Sequence, residues 1–190
     1  VREEHLLSTE LFLYPRVRAV QTGLNGEFIV SPRLDDLQCV FACMEGFLAA
    51  KAGESVPVLT VFNNEEVGSN TRQGADSTFL TDVLERIADG CGLSREEWRA
   101  AVANSFMVSA DNAHAIHPAH PEYANQGEFP VLGGGVVIKY NANQRYTTDA
   151  VSGAVFQAIC QEAGVPVQRY SNRADLPGGS TLGNISTAHL

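Results

Sequence analysis

Val56-Pro57-Val58-Leu59-Thr60-Val61-Phe62-Asn63-Asn64-Glu65-Glu66-Val67-Gly68-Ser69 runs from an apolar stretch straight into two adjacent carboxylates. Val56 to Phe62 is rich in β-branched and aromatic residues and reads as a buried strand. Two glutamates at its tip repel each other unless a cation, a shared proton or water relieves them. One of them can hold a metal while its neighbour moves protons. A solvated turn is the plainer alternative for such a pair standing alone.

Upstream, Asp35 or Asp36 opens an amphipathic helix whose Leu37, Val40, Phe41, Met44, Phe47 and Leu48 recur at three- and four-residue steps before Gly53, the pattern of core packing. Downstream, a second helix is expected from Asp76 or Ser77, with Phe79, Leu80, Val83, Leu84 and Ile87 on one face and Gly90 and Gly92 at its end. Ser94 and Glu97 form a capping-box pattern opening a third, and Ser105 to Ala110 reads as a strand ending at Asp111. Residues 112–130 carry His114, His117 and His120 with little periodicity and read as a long functional loop. Val136 to Tyr140 is a strand, Asp149 to Ala163 a helix closed by Gly164, Val165 to Tyr170 a strand, and residues 178–183 a glycine-rich turn.

Strands and helices alternating at this spacing predict an α/β fold, a three-layer sandwich with a largely parallel central sheet. Ligands in such folds bind beyond the carboxyl ends of the strands. Glu65, Glu66 and Asp111 stand at expected carboxyl ends, and Asp35 or Asp36 at a helix start, where the dipole tolerates an anion. Acids gathered on one rim with histidines nearby suit a divalent metal better than a pair of carboxylates acting on a sugar, since adjacent residues cannot easily flank a sugar ring.

Length and composition narrow the function classes. A chain of 190 residues supports one domain. Thirteen basic against 22 acidic residues give a net charge of −9, which disfavours nucleic acid and anionic membranes as partners. With 44% hydrophobic and 18% charged residues the composition is that of a globular protein. No apolar run is long enough for a membrane span and the charged opening Val1-Arg2-Glu3-Glu4-His5 is unlike a signal peptide, so a cytoplasmic setting is expected. Cys39, Cys43, Cys91 and Cys160 lack zinc-type spacing, and the first two read as small apolar fillers on a helix. The glycine turns lack the Gly-Lys-Ser/Thr ending of a phosphate loop, and no Gly-x-Ser-x-Gly elbow is present.

Five motifs in order carry a family resemblance: Ser31-Pro32-Arg33-Leu34-Asp35-Asp36-Leu37, Asn64-Glu65-Glu66-Val67-Gly68-Ser69, the stretch Ser109-Ala110-Asp111-Asn112-Ala113-His114-Ala115-Ile116-His117-Pro118, then Val137 to Tyr146, and Gly178-Gly179-Ser180-Thr181-Leu182-Gly183. The chain resembles the aspartyl aminopeptidase family of dinuclear zinc exopeptidases. The resemblance implies that Asp35 bridges two zinc ions, that Glu66 and Asp111 each bind one of them, and that Glu65 is the general base for a water activated between the metals. His114 and Lys139 resemble residues that line the pocket and recognise an acidic side chain. Asp36 would then be a helix cap or an outer-shell partner. Peptide substrates and a homo-oligomeric complete enzyme are implied as well.

The resemblance also implies two histidine ligands in segments before and after this sequence. Residues 1–190 would then be part of a metallopeptidase catalytic domain without the inserted domain used for oligomer contacts. Three acids without imidazole are expected to bind zinc weakly, and a sheet short of strands to expose edges and apolar faces that favour association. The alternative function is a catalytically inactive fragment with a structural or assembly role.

Overall fold

The computed structural model describes residues 2–51 and 53–176. Two strands, β1 (Val20–Thr22) and β2 (Phe28–Val30), pair antiparallel with Val20 opposite Val30. Their hairpin turns through Gly23 and Gly26, both at positive φ, and Gly26 N–H donates to Gly23 O at 3.3 Å. This hairpin was not among the elements expected from the sequence, although Asn25-Gly26 ahead of Phe28-Ile29-Val30 is a turn signal of the kind that joins two strands.

Helix α1 (Leu34–Ala49) follows as expected, but its first turn is irregular, since Asp35 and Asp36 have non-helical backbone angles. The regular helix therefore starts after the two aspartates, and they are held on a shaped entry rather than inside a cylinder. The apolar stripe that predicts α1 does not form a core among the described residues: Phe41 is 61% exposed and Leu48 71%. Periodicity made the helix; nothing described here covers that face.

The expected strands 56–62 and 105–110 are corrected. Both segments run without helix or ladder, with Val56, Val58, Phe106 and Val108 exposed. A strand exists only beside another strand, and among the described residues none pairs with either. Helix α2 (Phe79–Gly90) and helix α3 (Arg95–Ala103) match expectation closely. In α3 the capping box is complete: Glu97 N–H donates to Ser94 Oγ at 3.3 Å and Ser94 N–H to Glu97 Oε2 at 2.8 Å. Residues 112–130 are irregular apart from a 3-10 turn at Pro121–Tyr123.

The last unit is β3 (Val136–Tyr140), helix α4 (Ala150–Glu162) and β4 (Val167–Ser171), with β3 and β4 parallel and Val136 opposite Val167. Asp149 caps α4 by accepting from Ser152 N–H at 2.7 Å, and Gly164 takes positive φ just after its end. This strand–helix–strand crossover is the α/β signature anticipated from the sequence. Ile138, Cys160 and Tyr170 are its buried centre. The expected glycine-rich turn at 178–183 lies outside the described residues. Among those described, no helix is long and apolar enough to cross a membrane.

Candidate metal centre

Asp35 and Asp36, at the entry of α1, and Asp111, after the extended stretch 105–110, each bring a carboxylate oxygen within 4.8 Å of the other two. Asp35 is exposed, while Asp36 and Asp111 are half-buried. Burial, then the adjacent Asp111, Asp36 and Glu66 carboxylates, raise the pKa of Asp35 above the usual aspartate value. The trio is thus electrostatically strained in a way a cation would relieve. Oδ1 of Asp36 is buried and receives no hydrogen bond, so it is an orphaned acceptor, and no side chain caps α1. Oxygen donors this close, one of them unsatisfied, fit a divalent cation; none of the three is the imidazole that zinc often adds.

Glu65 and Glu66 sit in a one-turn 3-10 helix, Glu65–Val67, flanked by left-handed Asn64 and Gly68. Backbone and side chain hold that turn. Asn63 N–H donates to Gln73 O at 3.0 Å, Asn64 Nδ2 to Thr71 Oγ1 at 2.8 Å, and Ser69 N–H to Asn64 O at 3.0 Å. Gly74 lies so close to Ser69 that a Cβ there would collide with the Ser69 carbonyl. Glu65 is largely exposed, yet partial burial, then Asp111, Glu66 and Asp35, raise its pKa, and Lys139 opposes the rise. Both glutamates are therefore within electrostatic reach of the aspartates, although Glu66 is not one of the three residues whose oxygens meet.

Lys139 rises from β3 to donate to Asp111 Oδ2 at 3.0 Å and to Asn112 O at 2.9 Å, with its ammonium 5.6 Å from the Tyr146 ring centre. The lysine assigned by resemblance to an incoming acidic side chain is here paired with an acid of the site itself. His114 is exposed and meets the Tyr170 ring edge-on, its Nε2 3.4 Å from the Tyr170 hydroxyl. That hydroxyl donates to Asn172 Oδ1 at 2.6 Å. Burial, with Asp111 next, raises the pKa of Tyr146; burial, with Tyr146 next, raises that of Tyr170. The other loop histidines, His117 and His120, stack on each other at 5.3 Å, and His120 pairs with Glu122 at 3.1 Å.

Two residues not anticipated as part of the site join it. Asn112 Nδ2 donates to Leu34 O at 2.9 Å, and the Cys39 thiol donates to Asn112 Oδ1 at 3.2 Å. Burial, followed by Asp36 and Asp111, pushes the Cys39 thiol up to about 12, so it stays protonated and able to donate. Cys39 is therefore more than an apolar filler. Nothing in the sequence marked either residue as part of the site.

The chain as a whole is similar to known proteins in sequence and in fold. The family model described as aminopeptidase I zinc metalloprotease (M18) matches residues 1–190. A probable M18 family aminopeptidase 2 of Clostridium acetobutylicum is 46% identical over 186 residues, covering 98% of this chain and 43% of that protein. Its counterpart in Mycobacterium leprae is 39% identical over 183 residues, again covering 43% of that protein. Among solved structures, an M18-family aminopeptidase from Thermotoga maritima superposes with a TM-score of 0.78 at 25% identity, over 88% of this chain and 39% of that one. Yeast aminopeptidase 1 superposes at 0.72 with 29% identity, over 90% of this chain and 39% of that one. The chain thus spans less than half the length of the relatives it matches.

Proposed function

Because the chain belongs to the aminopeptidase I zinc metalloprotease (M18) family, we propose that its carboxylate cluster is part of the active centre of a metal-dependent aminopeptidase. The observation that carries this reading is the meeting of Asp35, Asp36 and Asp111 within 4.8 Å, with Glu66 near enough to help raise the pKa of Asp35 and Glu65 itself raised by burial and then by Asp111, Glu66 and Asp35. Asp35, Glu66 and Asp111 would hold the zinc, with Asp36 beside them as a supporting acid. Bound zinc supplies a Lewis acid for the scissile carbonyl and makes a water more acidic. Glu65 takes the proton of the attacking water and returns it to the departing amine. A carboxylate at this place serves both steps, as acceptor and then donor of one proton.

The substrate is a peptide with a free N-terminus, and an acidic first residue is favoured by Lys139 and His114 at the rim. Lys139 must exchange its hold on Asp111, in part, for the substrate carboxylate. Its long stem and three ammonium donors allow that exchange without moving β3. The complete protein is proposed to act in the cytoplasm as a homo-oligomer, as in the S. cerevisiae mApe1 dodecamer, to which this chain is 28% identical.

Metal analysis of the purified protein, with hydrolysis of aspartyl and leucyl chromogenic substrates, tests the reading. About two zinc ions per chain and faster aspartyl turnover are expected of the catalytic form. Absence of both metal and turnover would replace the enzyme with an inactive structural role.

A further inference from the structure

We propose that Asn112 is a positioning residue that sets the separation of Asp35 and Asp111 by clamping the loop after Asp111 to the entry of α1. The inference rests on the reading of the carboxylate cluster as a metal centre. Among the described residues no strand pairs with segment 105–110, which leads into Asp111, and Lys139 holds the Asp111 carboxylate from β3. Asp35 lies on a helix entry whose backbone is irregular. A side chain bonded to both segments would help to hold the two acids at ligand distance.

Asn112 provides it with both ends of one amide. Nδ2 donates to the carbonyl of Leu34, the residue immediately before Asp35, at 2.9 Å. Oδ1 accepts from Cys39, one turn into α1, at 3.2 Å. The two contacts require opposite ends of the amide, which fixes its orientation as well as its position. They join residues 78 and 73 apart in the chain. The backbone carbonyl of the same residue accepts from Lys139 at 2.9 Å, so the entry of α1, the Asp111 loop and β3 meet at Asn112. The side chain touches none of the reacting atoms and acts only through the acids beside it. Outer-shell partners of this kind commonly tune metal affinity by ten- to a hundredfold.

The experiment compares wild type, Asn112→Ala, Cys39→Ala and Cys39→Ser in the full chain. Hydrogen exchange of the metal-free proteins is measured first, and cobalt(II) titration by visible absorption second. In Asn112→Ala, exchange is expected to quicken about tenfold in peptides covering 33–40 and 109–113 and to stay unchanged in α2 and α3. Cobalt affinity is expected to fall about tenfold or more with an altered absorption spectrum, and kcat to fall with KM within about twofold. Cys39→Ala is expected to show a smaller version of each change, and Cys39→Ser, which keeps a donor, to restore wild-type behaviour. Unchanged exchange in both segments overturns the clamp, whether or not any variant binds metal. Faster exchange with unaltered cobalt affinity and spectrum overturns the positioning role. A wild-type chain that binds no cobalt removes the metal-centre reading, and the positioning role with it. Should Asn112→Ala fail to fold, the contrast between Cys39→Ala and Cys39→Ser decides the same question.

Discussion

Replacing Asp35 by asparagine should stabilise the metal-free protein while removing its response to zinc. Asparagine keeps the shape and supplies an amide that can donate to Asp111, but it deletes one of three crowded charges. At the 4.8 Å limit of the cluster, each carboxylate pair repels by about 0.9 kcal/mol in a water-like dielectric and about 3.5 kcal/mol at an effective constant of 20. Because Asp35 is exposed and salt screens it, the lower figure governs, and two neighbours together give about 1–2 kcal/mol. For a chain of this length that is a rise in Tm of roughly 2–8 °C. The sign with pH follows from the raised pKa of Asp35. A native carboxyl that binds its proton more tightly than the unfolded one is destabilising when ionised, and the penalty fades as pH falls through the native pKa. Wild type should therefore gain on Asp35→Asn between neutral pH and about pH 4, near the unfolded value, where the two should converge. Glu97, Glu122 and Asp149 titrate in the opposite sense, with lowered pKa values, but they are common to both proteins and cancel in the difference. Zinc at a hundred times its Kd should raise wild type by about 2.7 kcal/mol and leave the variant unmoved. The assay is thermal unfolding in chelator and in zinc, at pH 7 and pH 4. An unchanged or lower Tm for Asp35→Asn in chelator at pH 7, or an undiminished gap at pH 4, would refute the reasoning.

Glu65→Gln should retain zinc and KM while kcat falls by about 10²–10⁴, and single-turnover kinetics would show whether the loss lies in chemistry as a lost proton carrier requires. Lys139→Met should reduce kcat/KM on an aspartyl substrate by about tenfold or more while sparing a leucyl one; an equal fall on both would place the lysine's role at Asp111 rather than at the substrate. Gly74→Ala drives a methyl into the Ser69 carbonyl beneath the Glu65–Glu66 turn, so a loss of more than about 1 kcal/mol by denaturant titration is expected, with lower kcat. A fully active, equally stable Gly74→Ala protein would mean that the turn does not depend on that close approach.

What the sequence announced most clearly was local. The capping box at Ser94, the glycines after α2 and α4, and the apolar stripes of α1 and α2 each specify a helix through neighbours within one or two turns. Strands depend on partners elsewhere, and here the reading divides. β3 and β4 are assigned because each finds the other, whereas 56–62 and 105–110 have the right residues and no described ladder. The same distinction explains the uncovered face of α1. A stripe tells which side of a helix is apolar, not what lies against it. Leu37, Phe41 and Leu48 accordingly stay exposed among the described residues.

The site was legible to the extent that charge placement betrays purpose. Acids at the ends of apolar segments are costly, and Asp111, Glu65 and Glu66 stood out for that reason, whereas Asp35 was one of two acids at a helix start and only the family resemblance chose it over Asp36. Asn112 and Cys39 were not visible in the same way, because an amide and a thiol cost little wherever they stand and signal nothing until they meet. Their meeting depends on α1 lying against a loop more than seventy residues away. Lys139 shows the intermediate case: the resemblance paired it with an acidic side chain of the substrate, and the fold pairs it with Asp111. The consequence for mechanism is specific. The lysine compensates part of the cluster's negative charge without relieving Asp35 or the orphaned Oδ1 of Asp36, so it leaves a remaining demand for positive charge where the three aspartates converge. That residual demand, rather than the number of acids, is the physical reason to assign a cation to this place.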